Sequence, residues 1–436
     1  MDNCKLIIEK PQKNINIKIN ITGSKSESNR ALIIKHLCLG NIVLDNLSDS
    51  DDTKIIEKHL NNIDLYTDSK IPLIIDIKNA GTAARFLTPY LAITPGKWLL
   101  TGDESMRERP MKPLVEALKT IGAKIEYINQ NGFLPIKITG KPLNGGAIEI
   151  DPSISSQFIS ALLLIGAKLP EGLKLFLKGK KVSTPYIKMT IELLKHFGIT
   201  VKEQDNSIYV PCQMIRPNKL SIGGDWSSAS YWFEIAAINK ESNISLLGLK
   251  ENSFQGDKKI TEIFNLFGID SNFSDQGLEL KYNQKDIDSS MDIDFINTPD
   301  LGQTVICTSA ALKTNNCFTG LQSLHYKETD RIKALENELA KIGVSLIESE
   351  KGCYHLQFKE SDNSNIEFDT YNDHRMAMCL APLALIYNKI CINQPQVVSK
   401  SYPNFWKDLE KAGFKLTFVN DSNKKDDNNI YVKDNK

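Results

Sequence analysis

No run of about eighteen apolar residues occurs anywhere in the 436-residue sequence, so no helix is expected to cross a membrane. The opening MDNCKLIIEKPQKN lacks the basic, then apolar, then small-residue order of a secretory leader, and a soluble cytoplasmic protein is expected. Excess charge of one sign is also missing: 53 Lys and Arg face 53 Asp and Glu, which removes the usual argument for a nucleic-acid or membrane partner. Any anion site must therefore come from local clustering. There is no C-x-x-C pair; Cys4, Cys38, Cys212, Cys307, Cys317, Cys353, Cys379 and Cys391 lie far apart and read as reduced thiols, with neither a disulfide frame nor a zinc site. The six histidines form no H-E-x-x-H or H-x-H pattern, so no metal ligand set is expected.

What is present is a repeat. A helix with apolar residues at three- and four-residue spacing, a glycine where it stops and a short apolar strand recur at 114–125, 187–201, 260–269, 332–346 and 405–416. The glycines are Gly122, Gly198, Gly268, Gly343 and Gly413, each placed to take the left-handed conformation that closes a helix. A weaker sixth copy, IIEKHLNNIDL (55–65), has Asn62 in the glycine's place. Six supersecondary units are inferred, dividing three and three, in a chain long enough for two cores. The Gly, Ser and Asp of SIGGDWSSAS (221–230) mark a candidate boundary, and the polar stretch 421–436 reads as a mobile tail.

Polar clusters stand before many of the apolar helices. GSKSESNRALII (23–34) puts Lys25, Ser26 and Arg30 where backbone N–H groups and hydroxyls can hold a phosphate or carboxylate, although it is not a Walker A loop. NAGTAARFL (79–87) has a Gly-Thr turn at Gly81, and MRERP (106–110) sets Arg107, Glu108 and Arg109 before a proline able to open the next helix. SISSQF (153–158) and VSTPYI (182–187) supply Ser155, Ser156, Gln157, Ser183 and Tyr186, while PDLGQTV (299–305) supplies Asp300. KETDR (327–331) and YNDHRMAM (371–378) place mixed charges at helix starts, and VVSKSYP (397–403) places Lys400 in a turn. Taken singly, each is explained by helix capping or by solvated charge. Their recurrence in a chain without net positive charge points to helix N-termini converging on one cleft for a substrate with several negative charges.

The ordered set GSKSESNRA, NAGTAAR, MRERP, SSQF, VSTPYI, GDWSSASY, KETDR, YNDHRMAM and SKSYP, from about residue 20 to about residue 410, resembles the 5-enolpyruvylshikimate-3-phosphate synthase family. The resemblance implies an α/β (α+β) fold of two similar domains, each of three βαβαββ units forming an inside-out α/β barrel, with the active site in the cleft between them. It implies a first domain over 21–224 and a discontinuous second domain over 1–20 plus 225–420. The implied reaction moves the enolpyruvyl group of phosphoenolpyruvate to the 5-hydroxyl of shikimate 3-phosphate and releases phosphate, in the pathway to chorismate and aromatic amino acids. It needs no cofactor and no metal, and a monomer is expected. By the same resemblance Lys25, Ser26, Arg30, Ser155, Ser156, Gln157, Ser183, Tyr186, Asp300, Ser323 and Lys327 hold shikimate 3-phosphate. Lys25, Gly81, Arg109, Gln157, Arg331, Arg375 and Lys400 surround phosphoenolpyruvate, and Asp300, Glu328, Lys25 and Lys400 are the candidate acids and bases. Asp330 is expected to orient an arginine.

Two departures stand out: Phe86 where many relatives carry proline, and Ser323 where many carry asparagine. The sister family that uses UDP-N-acetylglucosamine commonly has a reactive cysteine on the loop matching MRERP, and no cysteine occurs here between Cys38 and Cys212. A catalytically silent anion-binding scaffold is the alternative of another class, against which the retained set Lys25, Asp300, Glu328 and Lys400 argues.

Overall fold

The computed structural model describes residues 4–66, 71–151, 155–179, 183–284, 290–349, 352–360 and 365–420. The stretch 421–436 read as a tail lies outside these residues, as do 1–3, 153–154 and 182 of the segments discussed above.

One sheet shows the building rule. Leu73–Asp76 runs parallel to Gly96–Thr101, which pairs antiparallel with Ile136–Gly140, which in turn pairs with Lys124–Tyr127. The helix Gly81–Ile93 makes the crossover and Lys112–Thr120 leads into the hairpin, so the chain order is βαβαββ. Four further four-stranded sheets repeat the same parallel, antiparallel, antiparallel sequence of neighbours. Two of them borrow a strand from the N-terminus: Asn16–Asn20 lies beside Asn243–Leu247, and Cys4–Glu9 lies between Lys389–Asn393 and Lys415–Asn420. Within the first half, Lys219–Ser221 pairs in parallel with Val43–Asp45 in a two-stranded sheet. The two connections run side by side where Gly23 bridges Gly224; a Cβ on Gly23 would lie 1.8 Å from the Asn46 carbonyl oxygen, so only glycine lets the strands meet.

The apolar residues gather in two clusters, one from Ala31 to Ile222, the other from Leu6 to Ile21 together with Trp226 to Phe414. At the centre of the first lie the helices Lys25–Leu37, Gly81–Ile93 and Ser156–Gly166; at the centre of the second lie Trp226–Ile238, Gly302–Leu312 and His374–Leu380. Nearly every residue of these helices is buried, as expected for helices enclosed on all sides.

The five helix-ending glycines all have φ between 76° and 97°. Asn62 differs: it lies inside the helix Asp51–Ile63, which runs into a 3-10 turn, and among the described residues no hairpin follows in that unit. Pro113, not Pro110, stands in the first turn of the helix Lys112–Thr120. The cysteines are not all reduced: Cys317 and Cys353 are bridged, with Cα atoms 5.5 Å apart. Antiparallel pairing of Phe318 with Tyr354 brings these positions together from 36 residues apart, which spacing along the chain does not reveal.

Candidate active site

The six central helices begin at the functional clusters. Lys25, Gly81 and Ser156 open the three of the first half, while Asp300 precedes Gly302 and Arg375 follows His374 in the second. Several of the first-turn N–H groups are taken by capping side chains: Ser24 accepts from Glu27 N, Asp225 from Lys25 N, Ser155 from Gln157 N and Asp373 from Arg375 N.

Arg331 is the hub on one wall. Its side chain is 1% exposed and its Nε donates to Asp373 Oδ2 at 2.7 Å, Nη1 to Asp300 Oδ1 at 3.1 Å and Nη2 to Glu328 Oε2 at 2.8 Å. Asp300 also takes Lys327 Nζ at 3.1 Å, Arg375 Nη2 at 3.0 Å and the Tyr186 hydroxyl at 3.0 Å. Burial raises the Asp300 carboxyl, but Arg375, Lys327 and Arg331 outweigh it and hold the group well below the usual carboxylate range. Glu328 is likewise pushed up by burial and pulled further down by Arg331, Arg109 and Lys400. Asp330 does not orient an arginine. It caps the helix Arg331–Ala340 by accepting from Lys333 N at 3.0 Å, and pairs with His325 Nδ1 at 2.9 Å. The residue that orients Arg331 is Asp373.

Across the cleft, Lys25 Nζ and Lys400 Nζ meet on one carboxylate, Asp52, at 3.3 and 3.1 Å. Lys400 also donates to the Asn79 carbonyl and Asn79 Oδ1, both at 2.8 Å. Close by, Arg85 and Arg109 flank Gly81, where an added Cβ would lie 2.7 Å from an Nη1 of each. Burial, then the neighbouring Arg109 charge, drives the Arg85 guanidinium well below its ordinary pKa. Among the described residues its Nε and that of Arg109 are buried without a hydrogen-bond partner, and the acid paired with Arg109 is Glu328 at 3.9 Å. Two cations so placed make a receptor for an anion.

The serine-rich side is formed by Ser26, Ser155, Ser156, Gln157, Ser183 and Tyr186. Ser155 caps its helix by accepting from Gln157 N at 3.2 Å, and Gln157 Nε2 reaches Thr82 Oγ1 at 3.3 Å. Ser183 adopts a left-handed φ of 51° and donates its backbone N–H to Ile296 in the other half at 2.9 Å. Arg30 lies beneath this surface, donating to Thr190 Oγ1, the Ser26 carbonyl, Ser160 Oγ and the Tyr186 carbonyl, with the Phe86 ring centroid 5.1 Å from its Cζ. Burial lowers it to about 10. Ser323 is half-buried on the 3-10 turn before Lys327 and makes no side-chain hydrogen bond among the described residues.

The structure ties Lys25, Arg30, Gly81, Arg109, Gln157, Tyr186, Asp300, Lys327, Glu328, Arg331, Arg375 and Lys400 into bonded or close contacts; Ser155 serves as a cap, Ser26 and Ser183 enter through their backbone, and neither Ser156 nor Ser323 makes a side-chain hydrogen bond among the described residues. It also adds groups that motif reading missed. Asp52, Asn79, Arg85, Thr190 and Asp373 hold the candidate side chains in place. Asp257, buried and bonded to Ser227 Oγ, is raised to about 7 by burial and by Asp300, with Arg375 opposing. Arg85 and Asp373 lie within the quoted motifs and were open to inspection; Asp52 looked like an ordinary acidic helix start.

Among the described residues no helix is long and apolar enough to cross a membrane, and no group of three or more His, Cys, Asp or Glu is placed to hold a metal ion. The profile of the EPSP synthase (3-phosphoshikimate 1-carboxyvinyltransferase) family matches residues 9–409. A 3-phosphoshikimate 1-carboxyvinyltransferase of Bacteroides fragilis is 45% identical over 402 residues, covering 92% of this chain and 96% of its own. One of Shewanella baltica is 35% identical over 412 residues, covering 89% and 95%. A solved EPSP synthase structure from Acinetobacter baumannii superposes with a TM-score of 0.76 at 22% identity, over 95% of this chain and all of that one.

Proposed function

The chain belongs to the EPSP synthase family, and from that premise we infer that it transfers the enolpyruvyl group of phosphoenolpyruvate to the 5-hydroxyl of shikimate 3-phosphate, releasing phosphate. The observation that carries the reading is the joining of cations from both halves around Asp52, Asp300 and Glu328, beside the Arg85–Arg109 pair, whose nearest ion-pair contact among the described residues is the Glu328 already bonded to Arg331. Two phosphates and two carboxylates match such a site, since each phosphate carries about −1.5 to −2 at neutral pH.

The roles follow from which groups are free to exchange partners. Donor anions entering between Gly81, Arg85 and Arg109 compete with Glu328 for Arg109, Arg331 and Lys400. As those cations turn to the donor, the pull that keeps Glu328 ionised weakens and it becomes able to carry a proton. Protonation of the donor's methylene carbon by Glu328 or Lys25 leaves a cationic carbon, which the 5-hydroxyl attacks. Asp300 accepts the hydroxyl's proton once the acceptor's phosphate draws Lys327 from it. The group that gave the proton, now its conjugate base, takes back a methyl proton as phosphate leaves, which completes the transfer through a tetrahedral intermediate, with Arg109 and Lys400 holding the leaving group. Ser155, Ser156, Gln157, Ser183, Tyr186 and Ser323 hold the acceptor, with Ser26 above the buried Arg30.

We further propose the domain limits 21–224 and 1–20 plus 225–420; the two apolar clusters and the exchanged strands support them. A complete set of candidate residues within one chain supports a monomer, and phosphorylated substrates made inside cells support the cytoplasm. Phosphate release by the purified protein, assayed with phosphoenolpyruvate plus shikimate 3-phosphate, plus UDP-N-acetylglucosamine, or alone, tests the reaction. Release only with the first is expected; release with the second alone overturns it.

A further inference from the structure

One carboxylate serves both halves of the cleft. Asp52 stands in the first turn of the helix Asp51–Ile63, where the helix dipole favours an acid, and its side chain is 3% exposed. A carboxylate taken so far out of water is costly unless it is paired and hydrogen-bonded. Among the described residues its side-chain partners are two ammonium groups: Lys25 Nζ on Oδ2 at 3.3 Å, from the same half, and Lys400 Nζ on Oδ1 at 3.1 Å, from the other half. We propose that Asp52 is a positioning residue for the transfer, a buried carboxylate that fixes the Lys25 and Lys400 ammonium groups relative to each other across the cleft. This rests on the reaction assigned above.

The surrounding bonds show why the position matters. An ammonium group has three hydrogens, and those of Lys400 are matched by Asp52 Oδ1, the Asn79 carbonyl and Asn79 Oδ1, all from the first half. Lys25 Nζ has Asp52 as its only hydrogen-bond partner among the described residues, leaving two hydrogens for a ligand. Asp52 therefore gives one oxygen to each lysine: Lys400 is fully held with the help of Asn79, and Lys25 is tethered through Asp52. With the carboxylate removed, two like charges face each other with no acid between them, and each can separate only by leaving the place where the donor's reacting atoms lie. The neighbours Asp49 and Asp51 dock the same segment without touching either lysine: Asn404 Nδ2 reaches Asp49 at 3.2 Å and Ser399 Oγ reaches Asp51 at 2.5 Å. Docking of the halves and placement of the lysines are thus carried by different residues of one short run, which allows them to be separated by experiment.

The sign of the binding effect is also set. The donor is an anion, and Asp52 is a negative charge beside its cations. Asn at this position keeps the size, removes the repulsion toward the donor and loses the hold on the lysines. Donor affinity should stay level or improve while turnover falls, a split that general loosening of the fold does not produce.

The test is steady-state phosphate release by wild type, Asp52→Asn and Asp51→Asn, with KM measured for both substrates and thermal unfolding followed in parallel. Expected for Asp52→Asn are a tenfold or larger fall in kcat, a KM for phosphoenolpyruvate equal to or below that of wild type, and a KM for shikimate 3-phosphate within twofold. Asp51→Asn should stay within twofold of wild type throughout. A kcat for Asp52→Asn within threefold of wild type overturns the proposal, and so does a rise in donor KM shared by both variants, which would mean that the run only docks the two halves. Should Asp52→Asn not fold, Asp52→Glu keeps the charge and displaces it by one methylene; a tenfold loss of kcat at level KM supports the positioning role, and wild-type turnover overturns it. Inactive wild type would overturn the assigned reaction itself, an outcome distinct from an active wild type with an unaffected Asp52→Asn.

Discussion

Replacing Asp373 by Asn removes one charge from the most enclosed ion pair of the cleft and changes little else. Asp373 is 0% exposed and the Arg331 side chain 1% exposed, with Nε to Oδ2 at 2.7 Å and Nη2 to Oδ1 at 3.3 Å. Stripping one partner from a buried pair costs about 3–5 kcal/mol, because the remaining charge stays out of water. Here Arg331 keeps Asp300 and Glu328, which places the expected loss at the lower end, about 3 kcal/mol. Asp373 also caps the helix His374–Leu380 by accepting from Arg375 N at 2.8 Å, a bond that Asn retains and Ala does not. Asp373→Ala should therefore cost about 1 kcal/mol more than Asp373→Asn. Urea unfolding followed by tryptophan fluorescence suits the measurement, since Trp226, Trp232 and Trp406 belong to the second apolar cluster and Trp98 to the first. The midpoint should drop by about 1–2 M at ordinary slopes. Donor kcat/KM should fall about tenfold or more as Arg331 loses its main support. A loss in stability below about 1 kcal/mol, or equal losses for Asn and Ala, would refute the assignment of Asp373 as the residue that holds Arg331.

Other perturbations separate binding, chemistry and stability. Glu328→Gln should lower phosphate release by about 10²–10⁴ at saturating substrates, and more than a tenth of wild-type turnover would remove it from proton transfer. Phe86→Leu removes the ring over Arg30 and should raise KM for shikimate 3-phosphate about threefold to tenfold with donor KM unchanged, checked by steady-state kinetics. Glu234 is fully buried, neither of its carboxyl oxygens has a partner among the described residues, and burial followed by Cys379 raises it well above its ordinary 4.5. Its native form binds the proton more tightly than the unfolded chain, so its contribution is fully present below pH 4.5 and lost as pH rises. Glu234→Gln should accordingly melt higher than wild type at pH 8 and alike near pH 4; a difference independent of pH would sink this account.

The repeat was legible because it is local. A helix, its closing glycine and the next strand are neighbours in sequence, and the five glycines take the expected φ. Asn62 failed because tolerance of a left-handed conformation does not force one, and the helix Asp51–Ile63 simply continues through it. The exchange of strands between halves is nonlocal: Asn16–Asn20 pairs with residues more than 220 positions away, which no periodicity encodes and only family resemblance implied. The site divides in the same way. Lys327, Glu328 and Arg331 could be picked out because mixed charge at a helix start is conspicuous, whereas Asp330 within the same five residues serves the helix as a cap. Asp52 was missed because its partners lie 27 and 348 residues away and its surroundings read as a solvated helix start. The Cys317–Cys353 bridge was missed for the same reason.

The acids explain how so many cations coexist without substrate. Lys25 and Lys400 share Asp52; Lys327, Arg331 and Arg375 share Asp300; Arg331 adds Glu328 and Asp373. Asp52, Asp300 and Asp373 each accept at least two hydrogen bonds, while Glu328 accepts one, from Arg331. The cations still outnumber the acids, and the shortfall falls at Arg85 and Arg109, where two guanidinium groups crowd Gly81. We propose that the anionic donor binds at this place, which most needs a negative charge. On the proposed assignment a donor bound there competes with Glu328 for Arg109 and Arg331 and frees a carboxyl beside the carbon to be protonated. Under that proposal, charge balance links donor binding to readiness for proton transfer: the anion that fills the deficit also changes the state of the acid proposed to act on it.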